Sequence, residues 1–213
     1  MAIKVNKDEI PKTVIEAKRW WRREIRRALS ETDEAYRTSA TASIALNTLC
    51  LKELDKAETV FAYFSVGKEV GTLALISKLL EKGKRVCLPL CTDIDKDGNK
   101  VSASPDMEAR LIRGAEDLVP GAYNIPEPAP DTEIVQPGDI DMVILPCVGC
   151  DKSCRRIGHG RGYYDKFLES LRDDCFKAAL CYDAVLADEL PVEEHDQPVD
   201  AVITEDAVYR WRR

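Results

Sequence analysis

Between residues 59 and 88 the chain reads strand, helix, strand, and that order within about 30 residues leaves few folds open. Residues 59–64 are β-branched, aromatic or small, the composition of a buried strand. Residues 69–81 carry helix formers and end at Lys82-Gly83, a stop signal. Residues 84–88 read as the next strand, stopped by Pro89. Strands joined through a helix run parallel, so a parallel sheet covered by helices is expected.

The remaining segments extend this unit. Residues 12–29 and 33–51 are rich in helix formers with no internal Gly or Pro, and residues 30–33 supply the break and the next N-cap candidates. Residues 91–104 are polar and contain Asp97-Gly98, which suits a hairpin or loop, and residues 107–112 suit a short strand. Residues 124–130 hold Pro126, Pro128 and Pro130, and are expected to be an extended surface or site-lining segment outside regular structure. Residues 141–146 form an apolar strand leading towards the Gly-rich stretch 158–162, and residues 163–172 should be helical. Segments 177–182 and 199–204 complete at least five strand candidates. The expected fold is α/β: a three-layer sandwich with a mostly parallel sheet flanked by helices, two helices at the N-terminus, and residues 1–213 in a single domain.

Composition narrows the function classes. Hydrophobic residues make up 45% of the chain, enough for a core, and the formal net charge of −7 opposes non-specific binding to nucleic acid or anionic membranes. No run of about 18 apolar residues and no secretory signal is visible, so a cytoplasmic monomer acting on small molecules is expected. Eight cysteines at irregular spacings point to reduced thiols. Cys147, Cys150 and Cys154 cluster in sequence, but no fourth metal ligand is identifiable, which favours incidental buried thiols over a zinc or iron–sulfur site.

The chemistry concentrates in Arg155-Arg-Ile-Gly-His-Gly-Arg-Gly-Tyr-Tyr-Asp-Lys166, between a strand and a helix. Gly158, Gly160 and Gly162 let the backbone bring its N–H groups close to an anion, while Arg155, Arg156, Arg161 and the following helix N-terminus add positive potential. The spacing fits neither the dinucleotide fingerprint nor a Walker loop. Lys18 and Arg22, four apart on a helix, share a face and suit one polyphosphate, although Lys18 to Arg27 also reads as a solvated basic face. Asp165 is equally a first-turn helix acid, Asp196 a turn residue beside Pro198, and Glu69 an ordinary helix-starting acid or a hydrogen-bond acceptor at a strand's carboxyl end. Phe64 and Tyr123 offer flat faces to a ring system, or fill the core.

The segment 157–168 after the strand 141–146 closely resembles the signature of the 5-formyltetrahydrofolate cyclo-ligase family, whose specific element is the Gly-x-Gly-x-Gly-Tyr-Tyr-Asp core. Other matching segments occur in the same order: Lys18-Arg19 with Arg22, Glu69-Val70 with Thr72, Asn124-Ile-Pro-Glu-Pro128, and Leu190-Pro191 leading to His195-Asp196 and Val199-Asp200. The resemblance implies ATP- and Mg²⁺-dependent closure of 5-formyltetrahydrofolate to 5,10-methenyltetrahydrofolate. By resemblance, Lys18, Arg19, Arg22, Arg156, Ile157, Gly158, His159, Gly160, Arg161, Gly162, Tyr163 and Tyr164 contact ATP. Phe64, Glu69, Tyr123 and residues 159–163 face the folate, Arg156, Arg161 and Tyr163 act in catalysis, and Asp165 and Asp196 hold magnesium. Of the only two histidines, His159 receives no obligatory acid–base role, and His195 beside Asp196 reads equally as a helper at the metal edge or as a structural turn residue. The runner-up is a kinase-like phosphotransferase on another small metabolite; RNA binding by the basic helix and loop is disfavoured by net charge and sparse aromatics.

Overall fold

The computed structural model describes residues 3, 5–94, 99–102, 104, 106–121, 125–193 and 196–211. Helix α1 (Val14–Glu31) starts at Thr13, whose hydroxyl accepts weakly from the Glu16 N–H at 3.4 Å while donating to the Glu16 carboxylate. Its buried residues Ala17, Lys18, Trp20, Trp21, Glu24 and Ile25 follow helical spacing, and full burial of Ile25 alone stabilises by about 1.5–3 kcal/mol. Helix α2 (Glu34–Leu49) is capped by Asp33, which accepts from the Tyr36 N–H at 2.6 Å. A short α3 (Lys52–Lys56), not expected from the sequence, follows at once.

Strand β1 (Thr59–Phe61), helix α4 (Leu73–Glu81) and strand β2 (Arg85–Cys91) form the expected crossover, with β1 and β2 parallel. The helix starts four residues later than expected. Its N-cap Thr72 donates its hydroxyl to Tyr63 O at 2.6 Å and receives the Ser65 N–H, while the Thr72 N–H goes to Ser65 Oγ. These bonds close residues 65–72 into a loop, with Gly67 at φ +62°. Glu69 therefore sits on a loop and is not a helix-starting acid.

Pro89 lies inside β2 and does not stop it. β1 pairs with β2 only as far as Cys87, so beyond that point β2 needs donors on one side alone, towards β3 (Met107–Ile112). The proline-rich segment is likewise more regular than expected: β5 (Pro126–Pro128) pairs antiparallel with β4 (Leu118–Pro120). The flanking bonds, Gly121 N–H to Ile125 O and Ala129 N–H to Asp117 O, put the odd-numbered residues on the ladder. The donorless Pro126 and Pro128 thus take the outward positions.

β6 (Ile134–Val135), β7 (Met142–Leu145), the hairpin β8 (Gly149–Cys150) and β9 (Arg156–Ile157), helix α5 (Tyr163–Glu169), and strands β10 (Phe176–Leu180), β11 (Ala201–Ile203) and β12 (Val208–Arg210) complete the chain. The main sheet runs β12-β11-β10-β7-β1-β2-β3-β6, with the five strands from β11 to β2 parallel and the edges antiparallel. Its centre is apolar throughout, β1 and β7 being fully buried, as strands covered on both faces must be. The β1–α4–β2 and β7–α5–β10 connections step in opposite directions along the sheet, so the right-handed rule for such connections puts α4 and α5 on opposite faces, and Phe61 stacks on Phe167 of α5 at 4.6 Å. The first crossover steps from β1 outward to β2, whereas β7 lies on the other side of β1, so strand order reverses between β1 and β7. Open α/β sheets bind ligands at that reversal, outside the carboxyl ends of the strands. Among the described residues no helix is long and apolar enough to cross a membrane.

Candidate functional site

A cavity of about 510 Å³ opens at the reversal. Val66, Gly67 and Glu69 enter it from the loop after β1, Pro146 from the end of β7, and residues 156 and 158–165 from the glycine segment; Pro89, Cys91, Met107 and Ile125 close the far side. One end is therefore apolar and the other cationic.

The glycine segment is held from three directions. Arg22 of α1 donates from Nε to Gly158 O at 2.8 Å, and its guanidinium lies where a side chain on Gly160 would have to go, 3.3 Å from an added Cβ. Burial and the nearby Arg26 charge lower the Arg22 pKa, while Asp196 and Asp165 act in the opposite sense, which places Arg22 within electrostatic reach of both carboxylates. Gly160 and Gly162 adopt φ of +90° and +79°, the left-handed region. Gly160→Ala is thus strained twice, by about 1–2 kcal/mol of backbone energy and by displacement of Arg22. It is expected to cut turnover at least tenfold while a thermal melt moves only a few degrees.

Arg156 is almost wholly buried and pairs with Asp165 through Nη2–Oδ1 at 2.5 Å, with Nη1 directed at Pro146 O at 3.3 Å. Its Nε is a buried donor without a hydrogen-bond acceptor among the described residues. Arg161 lines the same cavity. Arg155 does not: it turns outward to Glu189 and Leu190 O, beside a separate cavity of about 690 Å³. Helix α5 has only seven residues, so guanidinium groups outweigh its dipole in charging the site.

Tyr163 donates its hydroxyl to Asp93 Oδ2 at 2.8 Å, and burial together with that bond pushes its pKa up, keeping it a donor at neutral pH. Asp93 is buried, its Oδ1 has no partner among the described residues, and no sequence signal singled it out. Tyr164 also lines the cavity, its hydroxyl pushed up by burial and by the Glu69 charge. Glu69 accepts from the Val66 N–H at 2.8 Å and from His159 Nε2 at 2.9 Å; a carboxylate only accepts, so Nε2 carries the hydrogen. This pair stands between the main cavity and a smaller one of about 200 Å³, both of which it lines.

The other expected residues fall as follows. Lys18 is buried and bridges Glu193 at 2.6 Å and Asp196 at 2.5 Å; the Asp196 oxygen concerned, Oδ2, also accepts the Glu193 N–H. Arg19 is exposed on α1 beside Arg22. Ile157 is buried in β9 and packs in the core. Phe64 is half-buried against the core and does not line the cavity. Tyr123 and His195 lie outside the described residues.

Cys154, expected to belong with Cys147 and Cys150, lies apart from them, with its thiol directed at Tyr209 O. It occupies φ +63°, a glycine-like conformation rare for other residues, at the turn that leads into β9. Cys181 takes its place: the sulfurs of Cys147, Cys150 and Cys181 all lie within 4.8 Å of one another. With its proton on, Cys147 donates to Leu180 O at 3.1 Å. With its proton off it accepts from Cys150 and Cys181, which holds its thiol well below the ordinary value; burial pushes the Cys150 thiol up, and the bond to Cys147 pushes up that of Cys181.

Comparison with known proteins agrees with this architecture. The model of the 5-formyltetrahydrofolate cyclo-ligase family matches residues 14–205. The 5-formyltetrahydrofolate cyclo-ligase of Saccharomyces cerevisiae is 29% identical over 205 residues, covering 89% of this chain and 96% of that one. The Escherichia coli protein of the same name is 32% identical over 157 residues, 73% and 82% of the two chains. The NMR structure of Aquifex aeolicus 5,10-methenyltetrahydrofolate synthetase superposes with a TM-score of 0.76 at 28% identity, covering 92% of this chain and 93% of that one. With a family match over most of its length and the family's fold around the glycine segment, this chain belongs to the 5-formyltetrahydrofolate cyclo-ligase family.

Proposed function

We propose that this protein closes the formyl group of 5-formyltetrahydrofolate onto N10, consuming ATP and yielding 5,10-methenyltetrahydrofolate, ADP and phosphate. The observation that carries this reading is the cationic end of the 510 Å³ cavity, where the buried Arg156 has an unused donor and a carboxylate, Asp165, on its Nη2. An unsatisfied buried donor costs about 1–3 kcal/mol, which a phosphate oxygen can recover. On this reading Asp165 occupies in the free protein the place an ATP phosphate takes in the complex, and Arg22, Arg161, Lys18 and the amides of residues 158–162 neutralise and orient the rest of the chain of phosphates. Arg19, exposed beside Arg22, adds to the field at the ATP end.

The apolar end, between Val66, Pro89, Met107 and Ile125, suits a flat reduced pterin, with Glu69 accepting its N–H groups and His159 and Tyr164 along its edge. Phe64, packed against the core, belongs to this proposal only as a flanking aromatic, and Tyr123 enters it through the family resemblance alone. The formyl oxygen attacks the γ-phosphorus as the bond to the β-phosphate oxygen breaks, releasing ADP. N10 then attacks the activated formyl carbon and loses its proton, and departure of inorganic phosphate leaves the methenyl ring. No protein nucleophile is needed: positioning and charge neutralisation supply the rate, and Tyr163, held by Asp93, offers its hydroxyl edge to the transferring group.

Magnesium fits the donor set. It prefers one or two carboxylates beside phosphates and water, and the half-exposed Asp165 offers hard oxygens at the cationic end, while Asp196, anchored at Oδ2 by Lys18 and the Glu193 N–H, lines the separate 690 Å³ cavity within electrostatic reach of Arg22. When bound, the ion would offset phosphate charge.

Incubation with 5-formyltetrahydrofolate and Mg²⁺ tests the reading by the absorbance of the methenyl product. Product should form with ATP and not without it. ATP consumption with another small-molecule acceptor, and no methenyl product, would favour the phosphotransferase alternative.

A further inference from the structure

Cys147, Cys150 and Cys181 form a group that the folate reaction does not use. Cys147 and Cys150 have the two-residue spacing of zinc-binding pairs, at the end of β7 and in β8; Cys181 follows β10, the strand beside β7 in the sheet. The adjacency of β7 and β10 is what completes a triad the sequence could not show. Its sulfurs lie within 4.8 Å of one another, against the ~3.8 Å between sulfurs bound tetrahedrally to one ion at a metal–sulfur distance of about 2.3 Å. Closing by about 1 Å or less completes that geometry.

Three converging sulfurs select soft ions with filled d shells, and hard ions such as magnesium are disfavoured there. Cys150 and Cys181 are buried, whereas Cys147 is partly buried; Cys147 and Cys181 line the 200 Å³ cavity. A fourth coordination position therefore faces space large enough for a water or another small donor. Glu69 and His159 line the same cavity, which brings the triad to the back of the wall that carries the proposed folate-facing pair.

The geometry points to a three-cysteine site for one soft d¹⁰ divalent ion of the zinc class, with an open fourth position towards the small cavity. Binding replaces thiol protons by metal–sulfur bonds and releases those protons to solvent, with no change of oxidation state. The site does not depend on the reading of the reaction, and its test does not use turnover.

The test is titration of the reduced full-length protein with Cd²⁺, read by sulfur-to-cadmium charge-transfer absorbance, with Zn²⁺ as competitor. One Cd²⁺ per chain should bind with a three-thiolate band, and Zn²⁺ should displace it. Cys150→Ser and Cys147→Ser should each weaken binding at least about tenfold, and the exposed Cys50→Ser should not. Cys147 is only partly buried, so its serine variant keeps the test meaningful if the Cys150 variant folds poorly. Absence of the band in wild-type protein, a band unchanged in both serine variants, or a Cys147 disulfide in protein that takes up no Cd²⁺ after reduction would each overturn the proposal.

Discussion

Arg156→Ala is expected to lower kcat/KM a hundred- to a thousandfold, about 3–4 kcal/mol of transition-state stabilisation, while leaving the protein folded. Among the described residues the side chain's one ion-pair partner is Asp165, whose carboxylate is half-exposed and returns to water when the guanidinium is removed. The bond to Pro146 O is long, at 3.3 Å, and its loss costs little. What disappears is a buried, planar set of donors at the point where, on the proposed function, phosphate charge is stabilised. Arg156→Lys keeps the charge but not the fork, so only a minor part of the activity should return. Steady-state rates measured beside a circular-dichroism melt separate the two effects. A variant with unchanged rates would remove Arg156 from the chemistry.

The largest loss of stability should come from Asp151→Ala, about 3–5 kcal/mol in urea unfolding. Its carboxylate is fully buried and accepts three backbone N–H bonds: Ser153 at 2.9 Å and Arg155 at 3.0 Å on Oδ1, and Leu190 at 2.9 Å on Oδ2. These bonds shape the turn between β8 and β9 and tie it to the segment after β10. The alanine variant leaves three donors without an acceptor and opens a void. Against a typical net stability of 5–15 kcal/mol, that is a substantial fraction. Asp151→Asn retains an acceptor oxygen and should lose about 1–3 kcal/mol. Because β9 delivers Arg156 to the cavity, activity should fall alongside stability; a fully stable alanine variant would contradict this account of the turn.

Asp151 also marks how far the sequence could be read. The crossover between residues 59 and 88, the parallel sheet and the two opening helices followed from local pattern, since burial on both faces demands continuous apolar strands. The glycine and arginine segment was likewise visible, because its residue types have few other uses together. What stayed hidden depends on neighbours distant in the chain. Pro89 is tolerated because β1 is short, and Pro126 and Pro128 because the ladder of β4 and β5 takes the alternate residues. Glu69 leaves the helix because Thr72 spends its hydroxyl on Tyr63 O. Asp93 meets Tyr163, and Cys181 meets Cys147, only after the sheet has formed. Conversely, the spacing of Cys154 from Cys150 suggested a group that the turn at φ +63° pulls apart.

On the proposed function, the cationic end of the cavity presents the γ-phosphate of ATP to the formyl oxygen of the folate. Substrate carrying a heavy oxygen isotope in the formyl group tests it by mass analysis of the phosphate released in a single turnover. Transfer of the label into inorganic phosphate is the predicted result. Methenyl product formed with unlabelled phosphate would show that the formyl oxygen leaves by another route and would contradict the account.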